Sequence, residues 1–345
     1  MQKKSVCLVG FGSIGLTHLR HLSGYFHDFI IIDRNIEVTK RIEQVLGKRK
    51  FIFARDINEI SPGKNISHAV ISNWGPSHYE TLCTLIDFGV KRFIIEKPIT
   101  DSIAELVKIK KLRNQLSLQI FINFQWSYSS LFRSLEITRN KFKLGKMVSI
   151  NVTGGAKCIA TNGIHYLDLS NKLFNENPIK TFSDLYNSRL NPRQSDFLFL
   201  GGSATWVYSR NKYLNINFSN GSRISSRMEI IFEFGMAVIE GDALSIIYIN
   251  KTSLDEYKSP TKTFYPSKTA FSGRAFTYSD GTDGLDKIYA KFSSNQILKD
   301  NFNESYNTTL DFFATLISSD KGSSVDLPLR LPRYSRFYFK KWNIS

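Results

Sequence analysis

The apolar run Ser5-Val6-Cys7-Leu8-Val9 enters the hexapeptide Gly10-Phe11-Gly12-Ser13-Ile14-Gly15, and amphipathic spacing resumes over residues 14–23. Few folds accommodate a strand that passes through a glycine turn and leaves as a helix. Gly10 permits the tight turn, Gly12 lets the backbone approach a pyrophosphate, and Gly15 lets the helix pack close to the strand. The helix start then offers free N–H groups and its positive dipole end to phosphates, which assigns Phe11, Ser13 and Ile14 to the same contact. A second apolar run at residues 29–32 ends at Asp33, about 20 residues beyond the loop, where a carboxylate accepts from adenosine ribose hydroxyls. Asp33 favours NAD. The adjoining Arg34, able to stack on adenine or attract a 2′-phosphate, leaves NADP open.

Strand-like and helix-like segments alternate through residue 122, with strands near 51–54, 68–72, 93–95 and 118–122 and helices near 37–46, 79–88 and 103–114. That alternation predicts a doubly wound parallel sheet. The loop Ser72-Asn73-Trp74-Gly75-Pro76-Ser77-His78 falls at the same strand edge as the glycine turn, so Ser72, Asn73 and Trp74 are candidate cofactor contacts. His78 reads either as a capping or packing residue of the next helix or as a further cofactor contact. Glu96-Lys97-Pro98 closes Phe93-Ile94-Ile95. Ligands collect outside the carboxyl ends of parallel strands, so an ammonium here can reach a substrate lying on a nicotinamide ring. Proline after Lys97 keeps that residue out of ordinary helix geometry.

At 345 residues the chain exceeds what one core organises, and two domains are expected, 1–122 and 123–345. Beyond a helix at 131–144 and a strand at 148–152, apolar runs at 204–208, 214–218, 228–234 and 236–239 lie between Gly, Asn and Ser turns. They predict an α+β domain with a large, mostly antiparallel open sheet, closed by a helix at 304–317 and a loop at 318–324. One face of such a sheet needs cover, which suggests a homodimer or homotetramer.

The net charge of +16 favours anionic partners, but basic residues are scattered into short runs such as Lys108-Ile109-Lys110-Lys111 and Lys340-Lys341. No nucleic-acid motif accompanies them, so nucleic acid is not the expected partner. Cys7, Cys83 and Cys158 are widely spaced, which predicts free thiols and no metal. No signal-peptide core or membrane-length apolar run is expected, and the location expected is the cytoplasm.

At Gly10 to Gly15, Asp33, Asn73 to His78, Glu96-Lys97-Pro98 and Gly154 to Asp168, the chain resembles the Gfo/Idh/MocA oxidoreductases, named for glucose-fructose oxidoreductase and inositol dehydrogenase. The resemblance implies a Rossmann domain, an antiparallel α/β domain that commonly forms oligomer contacts, and hydride transfer to or from a sugar, polyol or derivative. It makes Lys97 the catalytic lysine and has Glu96 shape the cofactor side. His165 matches the family's substrate-facing histidine. The aspartate one turn before it is here Thr161, which can hold an imidazole but cannot raise its basicity. Where many relatives carry arginine this chain has Asn123-Phe124-Gln125-Trp126, leaving Gln125 as a nicotinamide contact and Trp126 as a substrate contact. Lys157 is a replacement anion contact, and Asn162 lies on the same substrate segment. The function expected is an NAD(P)-dependent dehydrogenase or reductase of a sugar or nucleotide sugar, for instance in surface polysaccharide synthesis. The alternative is a dinucleotide-binding regulator or scaffold that has lost the reaction.

Overall fold

The computed structural model describes residues 4–61, 63–155, 157–188, 198–240, 243–249, 268–272, 282–294 and 301–334; the Lys340-Lys341 pair lies outside them. Two compact units emerge. Where the sequence suggested a single boundary after residue 122, the chain crosses between Phe124 and Gln125, and Leu285–Thr309 with a short piece from Leu331 returns to the first unit.

The first unit holds strands β1 (Ser5–Val9), β2 (Asp28–Ile32), β3 (Phe51–Ala54), β4 (His68–Ile71), β5 (Arg92–Ile95) and β6 (Gln119–Ile122). They form one sheet in the order β3-β2-β1-β4-β5-β6, and every pairing is parallel. This is the Rossmann order, with its topological switch between β1 and β4. All of β1 and β4 is buried, as a strand covered on both faces requires. Helices α1 (Ser13–Leu22), α2 (Thr39–Leu46), α3 (His78–Asp87) and α4 (Ile103–Leu116) make the crossovers.

The returning segment supplies α7 (Thr282–Ser293), for which no helix was expected. Leu285, Ile288, Tyr289 and Phe292 follow the i, i+3, i+4, i+7 spacing of one helix face, and all four are buried. Beyond α7, Asn301 pairs with the edge strand β6 as a further strand would: its Oδ1 accepts from Ile122 N–H at 3.0 Å and its Nδ2 donates to Ile122 O at 2.8 Å.

Phe26 and Phe292 meet the His68 ring edge-on, with centroids 5.0 and 4.8 Å away. Burial, followed by the charges of Arg92 and Lys4, brings the His68 imidazole down to about 4. The folded state therefore keeps His68 neutral while the unfolded chain protonates it near 6.5, so this contribution to stability is present above pH 6.5 and is lost as pH falls towards 4. Thermal melts should show Tm falling by roughly 5 °C over that window through this group. His68→Phe, which keeps a ring but cannot ionise, should flatten the slope, and an unchanged slope would refute the assignment.

The second unit contains α5 (Ser130–Lys141), α6 (Ile164–Phe174), β7 (Met147–Gly154), β8 (Lys180–Asn187), β9 (Leu200–Val207), β10 (Tyr213–Phe218), β11 (Arg227–Phe232), β12 (Gly235–Glu240), β13 (Ala243–Ile249), β14 (Lys268–Ser272) and β15 (Val325–Asp326). These nine strands run in the order β14-β13-β12-β11-β7-β10-β9-β8-β15, antiparallel except for β7 with β10. Alternate residues of β8 and β11 are buried, so one face is packed. A polar ladder crosses the other: Thr205 Oγ1 donates to Asn215 Oδ1 at 3.0 Å, and Asn215 Nδ2 to Asn151 Oδ1 at 2.9 Å.

Helix α8 (Phe302–Lys321) is longer than the expected 304–317, and Ser318 to Lys321, expected as loop, are helical. Their hydroxyls explain the difference. Ser318 Oγ accepts from Ser183 N–H at 3.1 Å and Ser319 Oγ from Leu185 N–H at 3.0 Å, tying the last turn to β8.

Candidate active site

The glycine loop is built by close approach. Gly10 has φ +89°, and a methyl group on it would lie 2.5 Å from Asn73 backbone; one on Gly15 would lie 2.2 Å from Gly10 O. On Gly12 it would meet nothing within 4 Å. No side chain caps α1 at that point, so its first-turn N–H groups remain for an anion. The open side of Gly12 and the uncapped helix fit a dinucleotide pyrophosphate.

Asp33 secures the loop. Its Oδ2 accepts from Phe11 N–H at 2.6 Å and its Oδ1 from Asn35 N–H at 2.8 Å, leaving a further lone pair on each oxygen. Arg34 is exposed beside it. Arg41 of α2, which was not among the sequence candidates, stands 5.7 Å over the Phe11 ring and donates to Phe11 O at 3.3 Å.

Ser72 donates to Gly10 O at 2.9 Å, joining the β4 loop to the glycine turn. Asn73 donates from Nδ2 to Thr81 Oγ1 at 2.9 Å, and Trp74 is exposed. His78 is buried, with Nε2 3.0 Å from Asn73 O and Nδ1 3.2 Å from Ile99 O. Its imidazole is lowered chiefly by burial, and it ties the loop after β4 to the loop after β5.

Glu96 and Lys97 follow β5, and the Lys97-Pro98 peptide is cis. Lys97 is half-buried and Glu96 buried. Oε1 of Glu96 accepts from His18 Nε2 at 2.9 Å and from Asn123 Nδ2 at 2.6 Å. Burial alone would raise this carboxyl. The His18 hydrogen bond and charge, then the Lys97 charge and the Asn123 hydrogen bond, more than offset it and bring it down to about 2. Glu96 is therefore a carboxylate, held rigidly beside Lys97.

The second unit carries the remaining candidates. A π-helical turn, Ile159–Gly163, leads into α6, a local irregularity that often marks functional sites. Asn162 Oδ1 accepts from Cys158 N–H at 3.3 Å and from Thr161 Oγ1 at 3.5 Å. His165, buried in the first turn of α6, stacks on Trp126, with centroids 5.0 Å apart and planes at 19°. Trp126 also meets Tyr166 edge-on at 4.8 Å, and the half-buried Gln125 precedes it. Lys157 donates from Nζ to Ser226 Oγ at 2.9 Å, and Tyr166 from its hydroxyl to the same oxygen at 3.1 Å. Ser226, invisible to sequence reasoning because it lies far along the chain, just before β11, thus fixes the Lys157 ammonium. Asp168 is engaged by Ser127 Oγ and, at 3.4 Å, by Lys172 Nζ.

Thus Gly10–Gly15, Asp33, Ser72 to His78, Glu96 and Lys97 share the carboxyl edge of the first sheet, and Trp126, Lys157, Thr161, Asn162 and His165 cluster at the start of α6. Among the described residues no group of three or more His, Cys, Asp and Glu could hold a metal, and no helix is long and apolar enough to cross a membrane.

Residues 4–124 match the sequence model of an oxidoreductase family with an NAD-binding Rossmann fold. Inositol 2-dehydrogenase of Azotobacter vinelandii is 22% identical over 151 residues, 43% of this chain; the chain spans 44% of that relative's length. The solved structure of levoglucosan dehydrogenase in complex with NADH and levoglucosan matches with a TM-score of 0.71 at 15% identity, over 95% of this chain and 100% of its own. The transcriptional regulator Gal80p of Kluyveromyces lactis matches with a TM-score of 0.70 at 14% identity, over 94% of this chain and 91% of its own. At these identities the two structures share the fold.

Proposed function

Because residues 4–124 match the NAD-binding Rossmann model of the Gfo/Idh/MocA oxidoreductases, we propose that the chain moves a hydride between NAD and the carbinol or carbonyl carbon of a sugar or sugar derivative. The observation that carries this reading is Lys97, half-buried at the carboxyl end of β5 beside the anchored carboxylate of Glu96. NAD, when bound, supplies the hydride acceptor or donor at its nicotinamide ring. Lys97 donates a hydrogen bond to the reacting oxygen and stabilises the negative charge that grows on it. His165 takes up or returns the hydroxyl proton, its ring plane fixed by Trp126. Thr161 has no charge with which to assist it, so Lys97 carries a larger share of the electrostatic work. A nucleotide-linked or otherwise anionic sugar, such as a precursor of a surface polysaccharide, suits the net charge of +16 and the Lys157 ammonium.

The test is a panel of sugars, polyols and nucleotide sugars with NAD and NADP, following the absorbance of the reduced nicotinamide. His165→Ala should lower kcat by roughly 10²–10⁴-fold and remove one limb of the pH–rate profile, at little cost in NADH affinity. A variant as fast as wild type, with both limbs intact, would exclude His165 as the base.

A second reading, a dinucleotide-sensing regulator, is favoured by Thr161 in place of an acid and by the fold shared with Gal80p. It predicts that NAD binds with micromolar affinity or better while no member of the panel is turned over.

A further inference from the structure

Resting on the dehydrogenase reading, we propose that His18 and Tyr289 are positioning residues, which act through Glu96 to set the orientation of Lys97 and the grip on the cofactor. His18 lies on α1, three residues beyond Gly15, and is fully buried. Both its ring nitrogens are engaged: Nε2 with Glu96 Oε1 at 2.9 Å, and Nδ1 with the Tyr289 hydroxyl. A carboxylate can only accept, so Nε2–H of His18 donates to Glu96.

Tyr289 comes from α7 and is fully buried, stacked on His21 at 5.8 Å and edge-on to Phe292 at 6.4 Å. Burial, and then the charge of Glu96, raises its hydroxyl well above the usual phenol range, so it stays a donor. The helix that presents phosphate-binding N–H groups, the returning helix and the loop after β5 therefore meet in one buried chain of hydrogen bonds.

The chain ends asymmetrically. Asn123 and His18 both donate to Oε1 of Glu96, which leaves Oε2 able to accept from a cofactor hydroxyl or from Lys97. A buried carboxylate fixed through one oxygen and open at the other presents its charge in one direction. The ionisable groups facing it are His18 on α1, Tyr289 on α7, the adjoining Lys97, and His78 on α3, which feels its charge. A histidine and a tyrosine that only filled the core would not need to converge on the one carboxylate next to Lys97.

The experiment is a double-mutant cycle between Tyr289→Phe and Glu96→Gln, with His18→Gln as a third arm, read in NADH dissociation constant, kcat, sugar KM and Tm. Tyr289→Phe keeps the ring and its aromatic contacts and removes only the hydroxyl. We expect Tyr289→Phe to raise the NADH dissociation constant and lower kcat, each by about 3–10-fold, with sugar KM unchanged. Within a Glu96→Gln background it should add less than about twofold, because the carboxylate it positions is gone. Loss of the His18 bond should also raise the Glu96 carboxyl from about 2, since its burial would then be less fully offset. Full additivity of the two substitutions, or a fall in Tm with kcat and NADH affinity unchanged, would overturn the proposal. If the wild-type protein turns over no sugar, the dehydrogenase reading fails on its own, and the coupling measured in NADH affinity alone still decides the positioning role.

Discussion

Lys97→Ala protein should bind NADH within about threefold of wild type yet turn over roughly 10²–10³-fold more slowly, as loss of one donor to a developing oxyanion predicts. Direction and selectivity both follow from the local build. Lys97 follows a fully buried stretch of β5, is flanked by a carboxylate held by two hydrogen bonds, and is only half-buried itself. Removing its side chain creates no core cavity and leaves the glycine loop, Asp33 and Ser72 as they are. Sugar KM should rise far less than kcat falls, because the ammonium acts most on charge that exists only in the transition state. Lys97→Arg is the informative companion: it keeps the charge in a different geometry, and turnover restored beyond a tenth of wild type would mean that charge alone suffices. The measurements are fluorescence titration with NADH and initial rates on the best substrate of the panel. Equal rates for wild type and Lys97→Ala would remove the proposed mechanism.

Gly12→Val and Gly15→Ala should fail in opposite ways. A side chain on Gly12 meets nothing within 4 Å in the folded protein, so Gly12→Val should melt within a few degrees of wild type; the added methyls occupy the space a pyrophosphate needs, and NADH affinity should fall by more than about 100-fold. A methyl on Gly15 lies 2.2 Å from Gly10 O, and that atom is backbone held on both sides. Gly10 N–H donates to Ile32 O at 2.8 Å, and Gly10 O accepts from Ser72 at 2.9 Å. Relief requires α1 to move off β1, at a cost of about 1–3 kcal/mol or more for a forced overpacking. Gly15→Ala should thus lose several degrees of Tm as well as affinity. Paired melting and titration of the two variants separate these outcomes, and equal Tm losses would contradict the geometry.

The first unit was legible because its code is local. Buried parallel strands are continuous apolar runs, the crossovers are amphipathic, and the glycine spacing carries its own register. The second unit wrote part of its code in reverse. On β8 the buried residues include Thr181 and Ser183 while Phe182 and Tyr186 face outward, so a search for alternating apolar residues finds the wrong face. Thr181 and Ser183 are tolerated inside because α8 meets them with hydroxyl and carbonyl partners: Ser183 donates to Thr315 O at 2.6 Å, and Thr181 and Thr315 hydroxyls lie 3.3 Å apart.

Other parts were hidden by distance along the chain. Lys97 and Asp33 could be found because their places follow from strand ends. Nothing near His18 in sequence indicates Tyr289, 271 residues away, or that Glu96 is held from α1. The spacing of Leu285, Ile288, Tyr289 and Phe292 fits a helix face, yet no helix was expected there, and only the fold says which unit it joins.

That return of α7 bears on how the protein is made. During synthesis the strands of the NAD-binding sheet are complete once residue 122 has left the ribosome, but Phe26, His68 and His18 still lack the helix that covers them. Translation at 5–20 residues per second delays α7 by on the order of ten seconds or more. The nascent domain spends that interval with an apolar seam open to chaperones and to misassociation, and its closure is timed by the length of the second unit rather than by its own folding rate.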